Sequence, residues 1–171
     1  HFKPSPNIRH VVFDFDGTLS LIREGWPQVM LPMFEEMLPA VAGDEPESVR
    51  AMLMDDIMTL NGRQTIFQMI KFAERVVERG REPLDPLVYK HEYLRRLEER
   101  IKSRVKSLID GDSDPQEFLL HGSIAFLNGI RDRGCRLYLA SGTDEVFVKR
   151  EAGLLGLNDY FGEQVYGAQD D

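Results

Sequence analysis

What most constrains this chain is the placement of its strand-like segments. Residues 8–15 read Ile-Arg-His-Val-Val-Phe-Asp-Phe, a β-branched, apolar run that reaches Gly17. That is the pattern of a buried strand stopping in a tight turn. The next comparable run is Cys135-Arg136-Leu137-Tyr138-Leu139-Ala140, followed by the turn-like Ser141-Gly142-Thr143. A helix is expected from about Asp144 to Leu155 and a third strand over 164–168. Strands separated by helical stretches form parallel α/β units.

Between the first two runs the periodicity is helical. Met30, Met33, Phe34, Met37 and Leu38 share a face. Asp44 is expected to cap a second helix whose apolar residues are Met52, Leu53, Ile57 and Leu60, ending at Asn61-Gly62. A third helix places Ile66, Ile70, Ala73 and Val77 inward and stops at Gly80. Asp85-Pro86 starts a fourth, with the stripe Leu87, His91, Leu94, Leu97, Ile101, Val105 and Leu108. Asp114, Pro115 and Glu117 form a capping-box pattern opening a helix expected to run to about Gly134. The reading is an α/β core (1–19 and 113–171) with an all-helical cap domain (20–112) inserted after the first strand. At 171 residues and 42% hydrophobic, the chain can bury a core and a small accessory domain.

Charge and cysteine content narrow the partners. The net charge of −8 comes without a basic stripe, so nucleic acid is not expected as a partner. A small anionic ligand remains compatible with a locally positive site. Cys135 is the single cysteine, which excludes an intrachain disulfide and suits a cytoplasmic location. The apolar runs are too short for a membrane span. Oligomeric state is not legible.

The chemistry concentrates at the end of the first strand. Asp14 and Asp16 lie where ligands bind in open α/β sheets, at the carboxyl end of a strand, and Gly17 lets the backbone curl there. A carboxylate can attack phosphorus if a cation offsets the charge of the phosphate, and Mg²⁺ with oxygen ligands is the natural choice. A second carboxyl can serve as acid to the leaving oxygen and then as base to water.

Asp14-Phe15-Asp16-Gly17-Thr18 resembles the first signature of the haloacid dehalogenase superfamily. Leu137-Tyr138-Leu139-Ala140-Ser141-Gly142-Thr143 resembles its second. The resemblance covers core segments 8–20 and 114–168, and the cap only by architecture. It implies a Rossmann-like parallel sheet core and Mg²⁺-dependent hydrolysis of a small phosphorylated metabolite, such as a sugar phosphate or a phosphoglycolate-like compound. Asp14 would be the nucleophile and Asp16 the acid/base. Mg²⁺ would be held by the Asp14 side chain and the Asp16 main-chain carbonyl. Thr18, Ser141 and the Gly142 amide would contact the phosphoryl group. An acid at position 16 fits phosphatases and phosphomutases, whereas dehalogenases lack it. A phosphomutase of the β-phosphoglucomutase kind and a non-catalytic phosphate-binding or scaffold domain are the alternatives.

The family also uses a lysine and an acidic pair after the third strand. Lys149 reads as solvated surface, and Asp170 and Asp171 lack the apolar strand and glycine of that motif. We therefore expect the missing groups from a continuation of the polypeptide. In the helical insert, Arg63 of Asn61-Gly62-Arg63-Gln64-Thr65 is the candidate to bind a substrate phosphate or carboxylate. Arg23, Glu24 and Trp26 follow the first motif, at the expected hinge, and are candidates to touch the leaving group. His91 reads as a partly buried structural residue. The seven methionines read as adaptable packing.

Overall fold

Three strands form one parallel sheet in the order β1-β2-β3: β1 (His10–Phe13), β2 (Arg136–Asp144) and β3 (Val165–Ala168). The computed structural model describes residues 7–169, so Asp170 and Asp171 lie outside the described residues. The register pairs Val12 with Tyr138 and Phe13 with Leu139, then Leu139 with Val165. Phe13, Leu137, Leu139 and Val165 are buried, as the two-residue period of a pleated strand requires. The sheet is covered on that face only: Val12 is 67% exposed on the other, so the first strand is half-buried rather than enclosed.

The chain divides into two compact units, one reaching up to Glu24 and resuming at Ser103, the other Gly25–Lys102. The first holds the sheet together with α5 (Ser123–Asp132), α6 (Glu145–Leu154) and α7 (Asn158–Phe161). Phe13 makes edge contacts at 5.9 Å with both Phe126 of α5 and Phe161 of α7. These join the sheet to its helices, each such pair adding about 1 kcal/mol beyond the area buried. The Asp114 capping box is present, but it opens only a short 3-10 helix (Pro115–Phe118). The continuous helix expected to Gly134 is broken at Gly122, whose φ of 85° no helix tolerates, and α5 starts afresh at Ser123. The interruption is used: Leu119 bridges Ser20, tying the segment to the loop after β1.

The second unit is helical: α1 (Pro27–Met37), α2 (Pro46–Thr59), α3 (Thr65–Glu78) and most of α4 (Pro86–Asp110), which crosses into the first unit after Lys102. Its centre is aromatic. Phe34 stacks on Phe72 at 4.1 Å, and Phe72 meets the edge of Tyr89 at 4.9 Å. Met30, Met33, Leu53, Ile57 and Met69 are fully buried around them.

This cluster decides which helix faces turn inward, and it corrects the expected stripes. In α3 the buried residues are Gln68, Met69, Phe72, Ala73 and Val76, while Ile70 and Val77 are exposed. The i, i+3, i+4, i+7 face containing Phe72 wins over the aliphatic one because a stacked ring buries more surface. In α4, Tyr89, Tyr93, Leu97 and Ile101 face inward; Leu87 and His91 are exposed, so His91 is a surface residue. Asp85 does cap α4 through the Leu87 amide at 2.8 Å. Asp44 does not cap α2; it accepts from the Val41 amide and pairs with Arg79, and Glu45 occupies the cap position without a side-chain bond.

Candidate active site

The loop after β1 is wound by its own backbone. The amides of Thr18, Leu19 and Ser20 converge on the Phe15 carbonyl at 3.3, 2.9 and 2.9 Å, and the Gly17 amide donates to Ser20 O. Closing so tight a loop requires Gly17 at φ 73°, a left-handed conformation that costs an L side chain about 1–2 kcal/mol. Phe15, fully buried, and Leu19 anchor the loop. Asp14, Asp16 and Thr18 alternate with these anchors.

The two carboxylates end up in different environments. Asp14 is exposed and accepts a hydrogen bond from Thr18 Oγ1 at 2.9 Å on Oδ2. The Asp16 side chain is 22% exposed. Its Oδ2 accepts from Ser141 Oγ at 3.0 Å and from Thr143 Oγ1 at 2.8 Å. Its Oδ1 is buried with no hydrogen-bond partner among the described residues, and Arg23 Nε stands 3.9 Å away. Burial pushes the Asp16 carboxyl above its ordinary 3.8, against the opposing pull of Arg23 and of the two hydroxyls.

The second segment reaches this point through an irregularity in β2. The strand continues through Ser141-Gly142-Thr143, where a turn was expected, but its pairing with β3 shifts between Ala140 and Asp144. The unpaired residues bulge from the ladder, which re-aims the hydroxyls of Ser141 and Thr143 at Asp16. Ser141 Oγ also accepts from the Thr143 amide at 3.0 Å. Gly142 therefore lies in the bulged strand rather than in a turn at a helix start; α6 begins only at Glu145. A further glycine holds the arrangement. A Cβ on Gly167 would stand 2.4 Å from Glu145 Cα and 2.6 Å from Thr143 O, so only glycine lets β3 approach so closely.

Arg23 is buried, and Glu151 takes its hydrogen bonds: Nη2 to Oε1 at 2.8 Å and Nε to Oε2 at 3.0 Å. Glu24 is exposed. Arg63 belongs to the helical unit, exposed on the turn between α2 and α3. Lys149 pairs with Glu145 one helical turn away and is half-exposed, as a surface residue is. Thr143 and Glu151 were not singled out from sequence. Thr143 had a signal, since it follows Ser141 at the spacing that lets both sides of a bulge face one acceptor. Glu151 had none, because nothing local separates a buried acid from its charged neighbours Lys149 and Arg150.

The electrostatics of Asp16 set a prediction. A carboxyl whose pKa is raised on folding stabilises the fold below its unfolded pKa, and that contribution disappears as pH rises through the folded value. Ionising this carboxyl in the folded protein therefore costs stability. Asp16→Asn keeps an acceptor for both hydroxyls and removes the charge. It is expected to melt about 2 °C above wild type at pH 7, with the gap closing toward pH 4, as read by calorimetry at several pH values.

The parallel sheet thus carries two differently housed carboxylates at the carboxyl end of its first strand. The chain belongs to the haloacid dehalogenase-like hydrolases, whose family model matches residues 8–171. In fold it is similar to the crystal structure of a protein described as a predicted phosphoglycolate phosphatase from Haemophilus somnus 129pt. That likeness has 14% identity and a TM-score of 0.57 over 96% of this chain and 64% of the other. It is also similar to a HAD family hydrolase from Deinococcus radiodurans R1 with bound phosphate and sodium, at 17% identity and TM-score 0.44, over 94% of this chain and 58% of that one. This chain thus spans under two thirds of the length of either. Comparison with curated proteins gave no match. Among the described residues no helix is long and apolar enough to cross a membrane.

Proposed function

We propose that the protein is a phosphohydrolase that cleaves a small phosphomonoester through an aspartyl-phosphate on Asp14. The observation that carries this reading is the contrast between the two acids, Asp14 open to solvent and Asp16 sequestered with one oxygen unpaired. Paired acids in opposite environments divide into nucleophile and acid/base. In the first step an Asp14 carboxylate oxygen bonds to phosphorus, the ester P–O bond breaks, and Asp16 gives its proton to the departing alkoxide. In the second, water attacks phosphorus, Asp16 takes a proton from it, and the bond to Asp14 breaks, releasing phosphate and restoring both side chains.

No cluster of three or more His, Cys, Asp or Glu side chains that could hold a metal occurs among the described residues. The donors at hand, the exposed Asp14 carboxylate and the Asp16 main-chain carbonyl, are hard oxygens of the kind Mg²⁺ takes while keeping several waters. These two groups would hold it, and the bound ion would offset the charge of the phosphoryl group. Thr18, Ser141 and the Gly142 amide are proposed as phosphoryl contacts. For Ser141 this requires its hydroxyl to turn from Asp16. Arg63 is proposed as the partner of a second anionic group on the substrate.

The test uses the whole protein with Mg²⁺, screened for phosphate release from sugar phosphates, phosphoglycolate and nucleotides. An acid-quenched turnover should leave one phosphoryl group on the peptide containing Asp14. Label on another residue, or turnover with no label in wild type and in slow-hydrolysing variants alike, would remove the covalent mechanism. Isomer interconversion without net phosphate release would indicate a mutase.

A further inference from the structure

We infer that Arg23 and Glu151 form a positioning pair that orients the Asp16 carboxyl from its buried side. The inference rests on the phosphohydrolase reading and adds two residues to it.

Asp16 Oδ2 already accepts two hydroxyls, from Ser141 and Thr143. Its Oδ1 lies on the inner side of the carboxyl, buried and without a hydrogen bond among the described residues. The group beside Oδ1 is the Arg23 guanidinium, at 3.9 Å, too far to donate. Arg23 is kept at that distance by Glu151, which is fully buried and grips it in a bidentate manner. Glu151 is itself clamped: Arg150 Nη2 donates to Oε1 at 3.0 Å, and the Phe147 ring lies against both guanidiniums at 5.2 and 5.3 Å. Asp16 and Glu151 both face Arg23, and Glu151 accepts hydrogen bonds from it. Asp16 therefore feels the charge of Arg23, which holds its carboxyl in orientation without a hydrogen bond that would lock it as a carboxylate.

Stability alone does not account for such a pair. Well-packed apolar residues of similar volume usually serve a core as well as a buried ion pair does, because both ions must be stripped of water. This separation provides the test. In the whole protein, Arg23→Met with Glu151→Met removes both charges together. The melting temperature is expected to stay within a few degrees of wild type, with KM within twofold. The value of kcat should fall roughly 10- to 100-fold, the scale of a small misplacement of a catalytic group. Glu151→Gln is the second variant. It keeps the shape but loses the bidentate grip, so Arg23 is freed to donate to Oδ1, and kcat is expected to fall with KM unchanged. Wild-type kcat in a folded double variant, or in Glu151→Gln should the double variant not fold, overturns the inference. Asp14→Asn run alongside separates the two readings. If it is inactive while the pair variants are wild type, only the pair fails; if it is active, the nucleophile assignment fails.

Discussion

Asp14→Asn in the whole protein is expected to lower phosphatase activity on the order of 10³-fold or more, leaving under a few per cent of wild type, with an unchanged melting temperature. An amide oxygen is a far weaker nucleophile than a carboxylate, and loss of a covalent nucleophile in other hydrolases costs at least this much. Expressed as barrier height, 10³-fold is about 4 kcal/mol. The fold should not notice. Asp14 is exposed, its one side-chain bond among the described residues comes from Thr18, and an asparagine oxygen accepts that bond equally well. Exposed substitutions of this kind stay within about 0.5 kcal/mol. Activity near wild type with a normal melting curve would exclude Asp14 as the nucleophile.

Glu151→Leu alone is expected to be the most damaging change to stability, at about 3–5 kcal/mol. It leaves the Arg23 guanidinium, buried and deprived of its bidentate partner, in a site with little water to replace the lost bonds. For a chain of this size the melting temperature should drop by about 10 °C, measurable by calorimetry. Replacing both partners by methionine should recover most of that loss, because the buried guanidinium is removed together with its bidentate partner. A single variant that melts like wild type would mean the pair is solvated in solution.

Much of this protein is written in short-range pattern. The first strand, its Gly17 turn and the parallel arrangement follow from periodicity, β-branching and glycine placement, which act over a few residues, and Asp14-Thr18 was legible through its resemblance to a family signature. The caps at Asp85 and Asp114 also follow from local pattern. The helical segments were legible for the same reason, but not which side of each faces inward. In α3 and α4 the choice between two apolar faces was made by Phe34, Phe72 and Tyr89, residues far apart in sequence whose rings meet only in the folded unit.

The site divides along the same line. The opening strand by itself identified the two acids. Tertiary structure decided their difference: Asp14 left in solvent, Asp16 sealed under Ser141 and Thr143 by a bulge in β2, and Arg23 held off by Glu151. Residue type and spacing are local properties. Burial and charge balance depend on which distant segments the sheet brings together, so the contacts of Thr143 and Glu151 exist only once β1, β2 and α6 are packed.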